Sequence, residues 1–181
     1  MPGNINKAAD FIKIKVQRIV LAVGIILFII KLTSFYLTHS VSILSDALES
    51  TVNVITAIIT LKSLQFAAIP RDKNHPYGHG KIELLTASIE GILIVIAGIM
   101  IIREAILRLY TPIELQSMHW GIVLLIITAI INFITGYYSI KTGKKYGSVS
   151  LISGGHHLYS DTYSTIALVG GLLIYYLTGL T

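Results

Sequence analysis

Two pairs of polar residues have the types and spacing of metal ligands. Glu49 and Asn53 form one pair and His157 and Asp161 the other, so each pair shares one face if its segment is helical. On facing helices they would supply one imidazole nitrogen and three side-chain oxygens, a set suited to a divalent cation. With Glu49 and Asp161 ionised, their charges would neutralise such an ion. The alternative is that each pair forms hydrogen bonds between membrane helices.

Three further ionisable residues lie in or beside the same apolar stretches. Such residues are costly in lipid and usually face a bundle interior or a wet cavity. Asp46 lies near the end of its stretch, where it either caps the helix or adds a ligand. Glu90 has no matching partner in its own segment, which favours a hydrogen bond to a serine, a threonine or a neighbouring helix. His156 lies off the face of the adjacent pair and is expected at the membrane interface.

A second candidate metal site lies in the segment PRDKNHPYGHGK, residues 70–81. Its prolines and glycines predict an irregular loop. In such a loop Asp72, His75 and His79 could converge on one cation. A solvated loop that happens to contain two histidines is the alternative, and the spacing alone leaves both open.

Several function classes are excluded by what the chain lacks. It has no Cys, which excludes disulfides, thiol chemistry and Cys-based zinc sites. The loop lacks the Ser or Thr of a P-loop and the third glycine of a dinucleotide-binding fingerprint. Neither HExxH nor GxSxG occurs, so hydrolysis has no recognisable base or nucleophile. We therefore expect a protein that is not an enzyme.

The elements that must position these residues are predicted to be membrane helices. Of the 181 residues, 54% are hydrophobic and 13% charged, against about 45–50% and about 25% in soluble domains. The mean hydropathy is +0.75. Apolar runs of about 20 residues, the length that crosses a bilayer, lack the alternation of membrane strands. The fold class is therefore an all-α integral membrane protein, with five transmembrane helices predicted at 19–37, 47–66, 84–102, 120–140 and 158–177.

The basic residues favour one side of the predicted membrane. Most of the 14 Lys and Arg residues lie in residues 1–18, in or beside the second connection, or in the fourth connection at Lys141, Lys144 and Lys145. By the positive-inside rule these segments are cytoplasmic. Residues 1–18 are then a cytoplasmic leader and 19–181 the membrane domain, which we expect in a bacterial cytoplasmic membrane. The cytoplasmic segments account for the net charge of +5, so we expect no nucleic acid as a partner.

Three segments of the chain resemble the cation diffusion facilitator family of metal transporters. They are HSVSILSDALES at 39–50, NHPYGHGKIE at 74–83 and HLYSD at 157–161. The string HPYGHGK after the second helix is a specific signature, whereas the HxxxD pattern of the fifth helix is weak by itself. The resemblance extends over nearly the whole chain, in order and at similar spacing.

The resemblance implies a six-helix membrane domain followed by a cytoplasmic metal-binding domain, in a homodimer that exports a divalent cation in exchange for protons. The chain then corresponds to the first five helices of such a protein. The family's transport site falls on Glu49, Asn53, His157 and Asp161, and the loop site of some bacterial members on Asp72, His75 and His79. The family typically has Asp or His followed by Asp in its second helix, where this chain has Glu and Asn. Zn²⁺ is the favoured substrate, with Mn²⁺ and Fe²⁺ as alternatives.

We predict alternating access around a site near the membrane midplane, where the cation competes with protons for its ligands. Two other functions would use the same residues. A passive metal channel would show neither proton coupling nor saturation, and a non-transporting scaffold would use the polar pairs only to hold helices together.

Overall fold

The computed structural model describes residues 2–38, 41–70, 79–110 and 118–178, and the regular elements in these ranges are all α-helices. There are five, which confirms the predicted number and the all-α class. The helices are α1 (Pro2–Thr38), α2 (Val41–Ala67), α3 (Lys81–Tyr110), α4 (Met118–Tyr146) and α5 (Val149–Thr178).

The distribution of side chains is the reverse of that in a soluble protein. Many large apolar residues are exposed, among them Ile29, Ile92 and Ile99, whereas serines, threonines and two glutamates are buried. Such a surface suits lipid, in which exposed isoleucine costs nothing. By length and apolar composition, three helical stretches of the described chain can cross a membrane, namely Lys7–Tyr36, Ala47–Ala67 and Val123–Tyr146.

The predicted connection between the fourth and fifth helices is wrong. Lys141, Lys144 and Lys145 were expected in it, but α4 continues through them to Tyr146 and α5 begins at Val149. Lysine ends an apolar run without ending a helix, because its intrinsic helix propensity is high. Cations in the last turn of α4 also interact favourably with the helix dipole.

The α4–α5 connection is a two-residue turn with a defined cap at each side. Gly147 has a φ of +65°, a conformation that glycine adopts without strain. The Ser148 amide donates to the Gly143 carbonyl at 2.9 Å, as in a Schellman motif. Ser148 then caps α5, since its Oγ accepts a hydrogen bond of 3.4 Å from the Leu151 amide. The turn therefore fixes how α5 leaves α4.

Glycines let α4 and α5 approach closely over their length. A Cβ added at Gly155 would lie 2.5 Å from Ile140 and 2.9 Å from the Gly136 carbonyl oxygen. A Cβ at Gly143 would lie 2.7 Å from Ile152. Small residues allow this kind of contact between membrane helices. The hydroxyl of buried Ser139 adds a 2.8 Å hydrogen bond to the Leu151 carbonyl.

The helices form a bundle in which α1 packs mainly on α2 and α4 mainly on α5, while α3 lies against α2 and α5. Contacts between α1 and α4, and between α2 and α5, complete the bundle. Three helices turn a stripe of polar or small residues inward, spaced three or four residues apart as one helical face requires. These stripes are Asn53, Thr56 and Thr60 on α2, Glu83, Thr86 and Glu90 on α3, and Ser150, Gly154, His157 and Asp161 on α5.

Candidate metal-binding site

Asn53 joins the two helices that carry the predicted ligands. Its Nδ2 donates to Asp161 Oδ2 at 2.9 Å, and its Oδ1 lies 2.7 Å from His157 Nε2. All three side chains are partly buried. The structure therefore brings three of the four predicted transport-site residues into one hydrogen-bonded cluster, which we call the α2–α5 cluster (Asn53, His157 and Asp161).

The direction of these hydrogen bonds defines the proton on the imidazole. An ionised carboxylate only accepts hydrogen bonds, so the amide group of Asn53 must turn its NH₂ toward Asp161. Its carbonyl oxygen then faces His157, whose Nε2 must carry a hydrogen to donate. In this arrangement Nε2 holds a proton where a metal ion would bind. A cation that enters the cluster must displace this proton or turn the ring.

The position of Asn53 depends on how α2 packs on α1. Gln17 of α1 is 3% exposed, and its side-chain amide donates to the Ala57 carbonyl of α2 at 3.0 Å. Gly24 of α1 faces Val54, and a Cβ there would be in ordinary contact at 3.7 Å. These contacts hold the Asn53 face of α2 toward the bundle interior. On the other side, the α4–α5 turn fixes the face of α5 that carries His157 and Asp161.

Glu49, the fourth predicted ligand, lies one helical turn before Asn53 on α2, and its side chain is exposed. The described residues contain no group of three His, Cys, Asp or Glu side chains close enough to bind a metal ion. The α2–α5 cluster includes only two residues of those types and relies on the Asn53 amide for its third. Glu49 therefore remains a predicted ligand.

A narrow cavity of about 30 Å³ opens beside the α2–α5 cluster. Its polar lining comes from Gln17, Asn53, Thr56, Glu90 and His157. Glu90 is only 6% exposed, and Thr60 Oγ1 donates to its Oε1. This contact confirms the expectation that Glu90 bonds to a hydroxyl of a neighbouring helix. The cavity thus connects a buried carboxylate of α3 with two residues of the cluster.

A separate polar network lies where α3 and α5 begin, and we call it the Glu83 network. Glu83 Oε1 is 3.7 Å from Lys13 Nζ. Glu83 Oε2 accepts hydrogen bonds of 2.6 Å from Ser148 Oγ and 3.3 Å from Ser150 Oγ. Lys13 also lies 3.4 Å from Asp10. The network ties α1, α3 and the α4–α5 turn together.

The remaining sequence-predicted residues are only partly covered by the structure. Asp72 and His75 lie outside the described residues, and so does the side chain of Asp46. His79 is 7% exposed and packs edge-on against Phe66, with ring centroids 4.7 Å apart. The loop site therefore stays a prediction. His156 is exposed on α5, off the face of its neighbour, as expected.

Sequence reasoning missed the groups that surround these residues. Nothing in the sequence distinguished Gln17 from other polar residues near the start of the first predicted span. Thr56 and Thr60 did carry a signal, because they continue the face of Asn53 at helical spacing. Glu83 also carried a signal, because it lies seven residues before Glu90, two turns away on the same helix face.

Comparison with known proteins assigns the chain to a family of membrane proteins. The model of the cation efflux transmembrane domain matches residues 18–181. An uncharacterized transporter of Synechocystis is 35% identical over 150 residues, covering 83% of this chain and 48% of the relative. The match agrees with the resemblance carried by the three sequence segments.

Two other relatives carry names that mention metals. The manganese efflux system protein MneP of Bacillus subtilis is 29% identical over 160 residues, which cover 88% of this chain and 54% of MneP. The metal cation efflux system protein CzcD of Cupriavidus metallidurans is 28% identical over 145 residues, covering 79% of this chain and 44% of CzcD. The chain thus spans about half the length of these curated relatives.

Proposed function

Because this chain belongs to the family defined by the cation efflux transmembrane domain, we propose that it carries a divalent metal cation out of the cytoplasm. The observation that supports this most directly is the α2–α5 cluster. An imidazole, an amide and a carboxylate from two helices meet in the interior of the bundle. Polar groups of this kind are expensive at membrane depth and mark ion pathways.

The proposed transport site consists of Glu49, Asn53, His157 and Asp161. His157 supplies nitrogen and the other three supply oxygen, with two negative charges when both carboxylates are ionised. Breaking the hydrogen bonds of Asn53 frees Oδ1 to face a cation together with Nε2. Glu49, one turn away on α2, is proposed to complete the shell.

The donor set suits several first-row cations. One imidazole with oxygen ligands accommodates Zn²⁺, and the same oxygens suit Mn²⁺ or Fe²⁺. We propose Zn²⁺ first, with Mn²⁺ and Fe²⁺ as competitors, since MneP is named for manganese efflux. The amide of Asn53 lowers the charge of the site relative to a carboxylate. Direct competition among the three ions is therefore needed to name the substrate.

Proton exchange follows if the cation and protons compete for His157, Asp161 and Glu49. Metal binding then releases protons from the protonated forms of these ligands, and return of the protons favours metal release. Alternating exposure of the cluster to the two sides of the membrane would then couple the two movements. The basic segments, including residues 1–18, are proposed to be cytoplasmic. The membrane domain at 19–181 is proposed to act in a homodimer in a bacterial cytoplasmic membrane.

A flux assay tests the proposed function. The purified protein is reconstituted into liposomes that contain a metal-sensitive dye and a pH-sensitive dye. Added Zn²⁺ or Mn²⁺ should enter saturably, and the lumen should become more alkaline as protons leave. Asp161→Asn should abolish both signals, whereas Ser160→Ala, at the adjacent position, should leave them intact. Saturable entry without proton movement would contradict antiport, and linear entry would favour a channel.

Asn53→Asp tests the role of the amide. The added charge should tighten cation binding about tenfold, the size of effect that residues around a metal commonly have. The cation-free protein should become less stable, because the amide donor to Asp161 is lost and two carboxylates face each other. Both effects are measured by metal titration and thermal unfolding in detergent. Unchanged affinity would remove Asn53 from the site.

A further inference from the structure

Glu90 is a buried carboxylate whose hydrogen bonding is incomplete. Oε1 accepts from Thr60 Oγ1. Oε2 is buried and has no hydrogen-bond partner among the described residues. Only 6% of the surface of the residue is exposed. A buried carboxylate that keeps its charge without a donor is strongly unfavourable, so this group is stable either when it is protonated or when a cation balances its charge.

A glycine of α5, Gly154, faces the Glu90 carboxylate. A Cβ built on Gly154 would lie 3.7 and 3.8 Å from the two oxygens of the Glu90 carboxylate. Both residues line the cavity that also reaches Asn53 and His157. The carboxylate is therefore next to a cavity that continues into the α2–α5 cluster.

The order of residues along α5 places Glu90 between two other polar regions. Ser150 bonds to Glu83, Gly154 faces Glu90, and His157 and Asp161 follow on the same face. At a rise of about 1.5 Å per residue, Gly154 lies about 4.5 Å before His157 along the helix axis. A cation that moves inside the bundle from the Glu83 end would pass Glu90 before it reached His157.

From this geometry we propose that Glu90 is a second cation-binding residue, which holds the transported ion in an oxygen-only site between the Glu83 network and the α2–α5 cluster. The Glu90 carboxylate supplies the charge, and the Thr60 hydroxyl and water in the cavity supply neutral oxygens. Such a site favours hard divalent cations such as Mn²⁺. This inference rests on the proposed function, because it adds a second binding site to the same transport pathway.

A binding experiment with Mn²⁺ separates this site from the cluster. Free Mn²⁺ is counted by electron paramagnetic resonance during titration of the detergent-purified protein. In Asp161→Asn, metal binding at the α2–α5 cluster is weakened. The Mn²⁺ binding that remains in this variant should therefore come from the Glu90 site. Adding Glu90→Gln to that variant should remove the remaining binding, and Glu90→Gln alone should weaken uptake at least tenfold in the liposome assay. The carboxamide is isosteric, so the cavity keeps its shape.

Two further variants distinguish loss of Mn²⁺ binding from loss of the folded structure. Glu90→Asp keeps the charge and should retain Mn²⁺ binding with an affinity changed at least threefold. Thr60→Val keeps the shape, removes the hydroxyl and should weaken binding without abolishing it. Thermal unfolding in detergent verifies that each variant is folded. If Mn²⁺ binding and uptake are the same with Glu90, Gln or Asp at this position, the proposal is wrong and Glu90 is a neutral hydrogen-bonding group.

The result also distinguishes this proposal from the proposed function. If wild-type protein transports metal and Asp161→Asn does not, while Glu90→Gln behaves as wild type, only the Glu90 site is overturned. If Mn²⁺ binding depends on Glu90 but no variant and no wild-type protein carries metal across the liposome membrane, the site stands as a binding site and transport by this chain is overturned.

Discussion

Glu83 and Glu90 occupy the same face of α3, seven residues apart, yet their surroundings differ. Both are nearly buried, with 8% and 6% of their surface exposed. Glu83 is 3.7 Å from the Lys13 ammonium group and accepts hydrogen bonds from two serine hydroxyls. Glu90 Oε1 accepts from the Thr60 hydroxyl, no ion pair to Glu90 is found within the described residues, and its Oε2 has no hydrogen-bond partner there.

The difference separates a structural carboxylate from one suited to exchange. A charge that is neutralised by a fixed lysine holds helices in place, and removing either partner is costly. A carboxylate that no described lysine or arginine contacts is available, when ionised, to a mobile cation. The same residue type on the same helix face therefore takes a different role according to its neighbours on α1, α2 and α5.

The largest effect is expected from His157→Ala, in the α2–α5 cluster where the cation is proposed to bind. Loss of the only nitrogen ligand in the proposed transport site should reduce metal flux in liposomes about 100-fold or more, beyond the 10- to 100-fold typical of groups around a metal. Thermal unfolding should change little. His156→Ala is the matched control, because that ring is exposed one position away. Equal flux losses in both variants would contradict the site.

Lys13→Met should have the opposite profile. It leaves the Glu83 carboxylate buried without its cation, which should destabilise the folded protein by about 3 kcal/mol. Flux per folded molecule should be retained, because the α2–α5 cluster is untouched. Denaturant unfolding in mixed micelles measures the change.

A second substitution identifies the cause of that loss. Combining Lys13→Met with Glu83→Gln removes the unpaired charge and should restore most of the stability. If the double variant is no more stable than Lys13→Met, the lysine acts through packing of its stem rather than through its charge.

Gly155→Ala should disturb the α4–α5 contact that positions both regions. The added methyl group would lie 2.5 Å from Ile140, and overpacking of this kind costs about 1–3 kcal/mol. Gly91→Ala on α3 is the control, since a Cβ there meets nothing within 4 Å. The unfolding free energies of the two variants should differ clearly, and equal values would mean that the helices can separate at no cost.

The smallest effect is expected from Gly147→Ala in the turn before Ser148. A φ of +65° is unfavourable for alanine by about 1 kcal/mol. The strain should weaken the serine contacts of Glu83 and slightly lower the unfolding temperature. Gly80→Ala, at a position without a positive φ and with nothing within 4 Å, should have no such effect.

Much of the architecture was predictable because it depends on local pattern. Apolar runs long enough to cross a bilayer predict helices, whichever helices they pack against. A spacing of four residues places Asn53 with Glu49, and His157 with Asp161, on common faces. The limits of the helices were less predictable. Lysines end an apolar run but not a helix, so α4 passes through Lys141 and ends only at the turn of Gly147.

The sequence by itself determined five helices, the face on which each polar residue lies, and the family to which the chain belongs. Only the tertiary structure decided which faces meet. Helical periodicity defines a direction around one axis and carries no information on the rotation or neighbour of the next helix. For that reason the bridge from Asn53 to His157 and Asp161, and the different partners of Glu83 and Glu90, depend on contacts between residues that are distant in the chain.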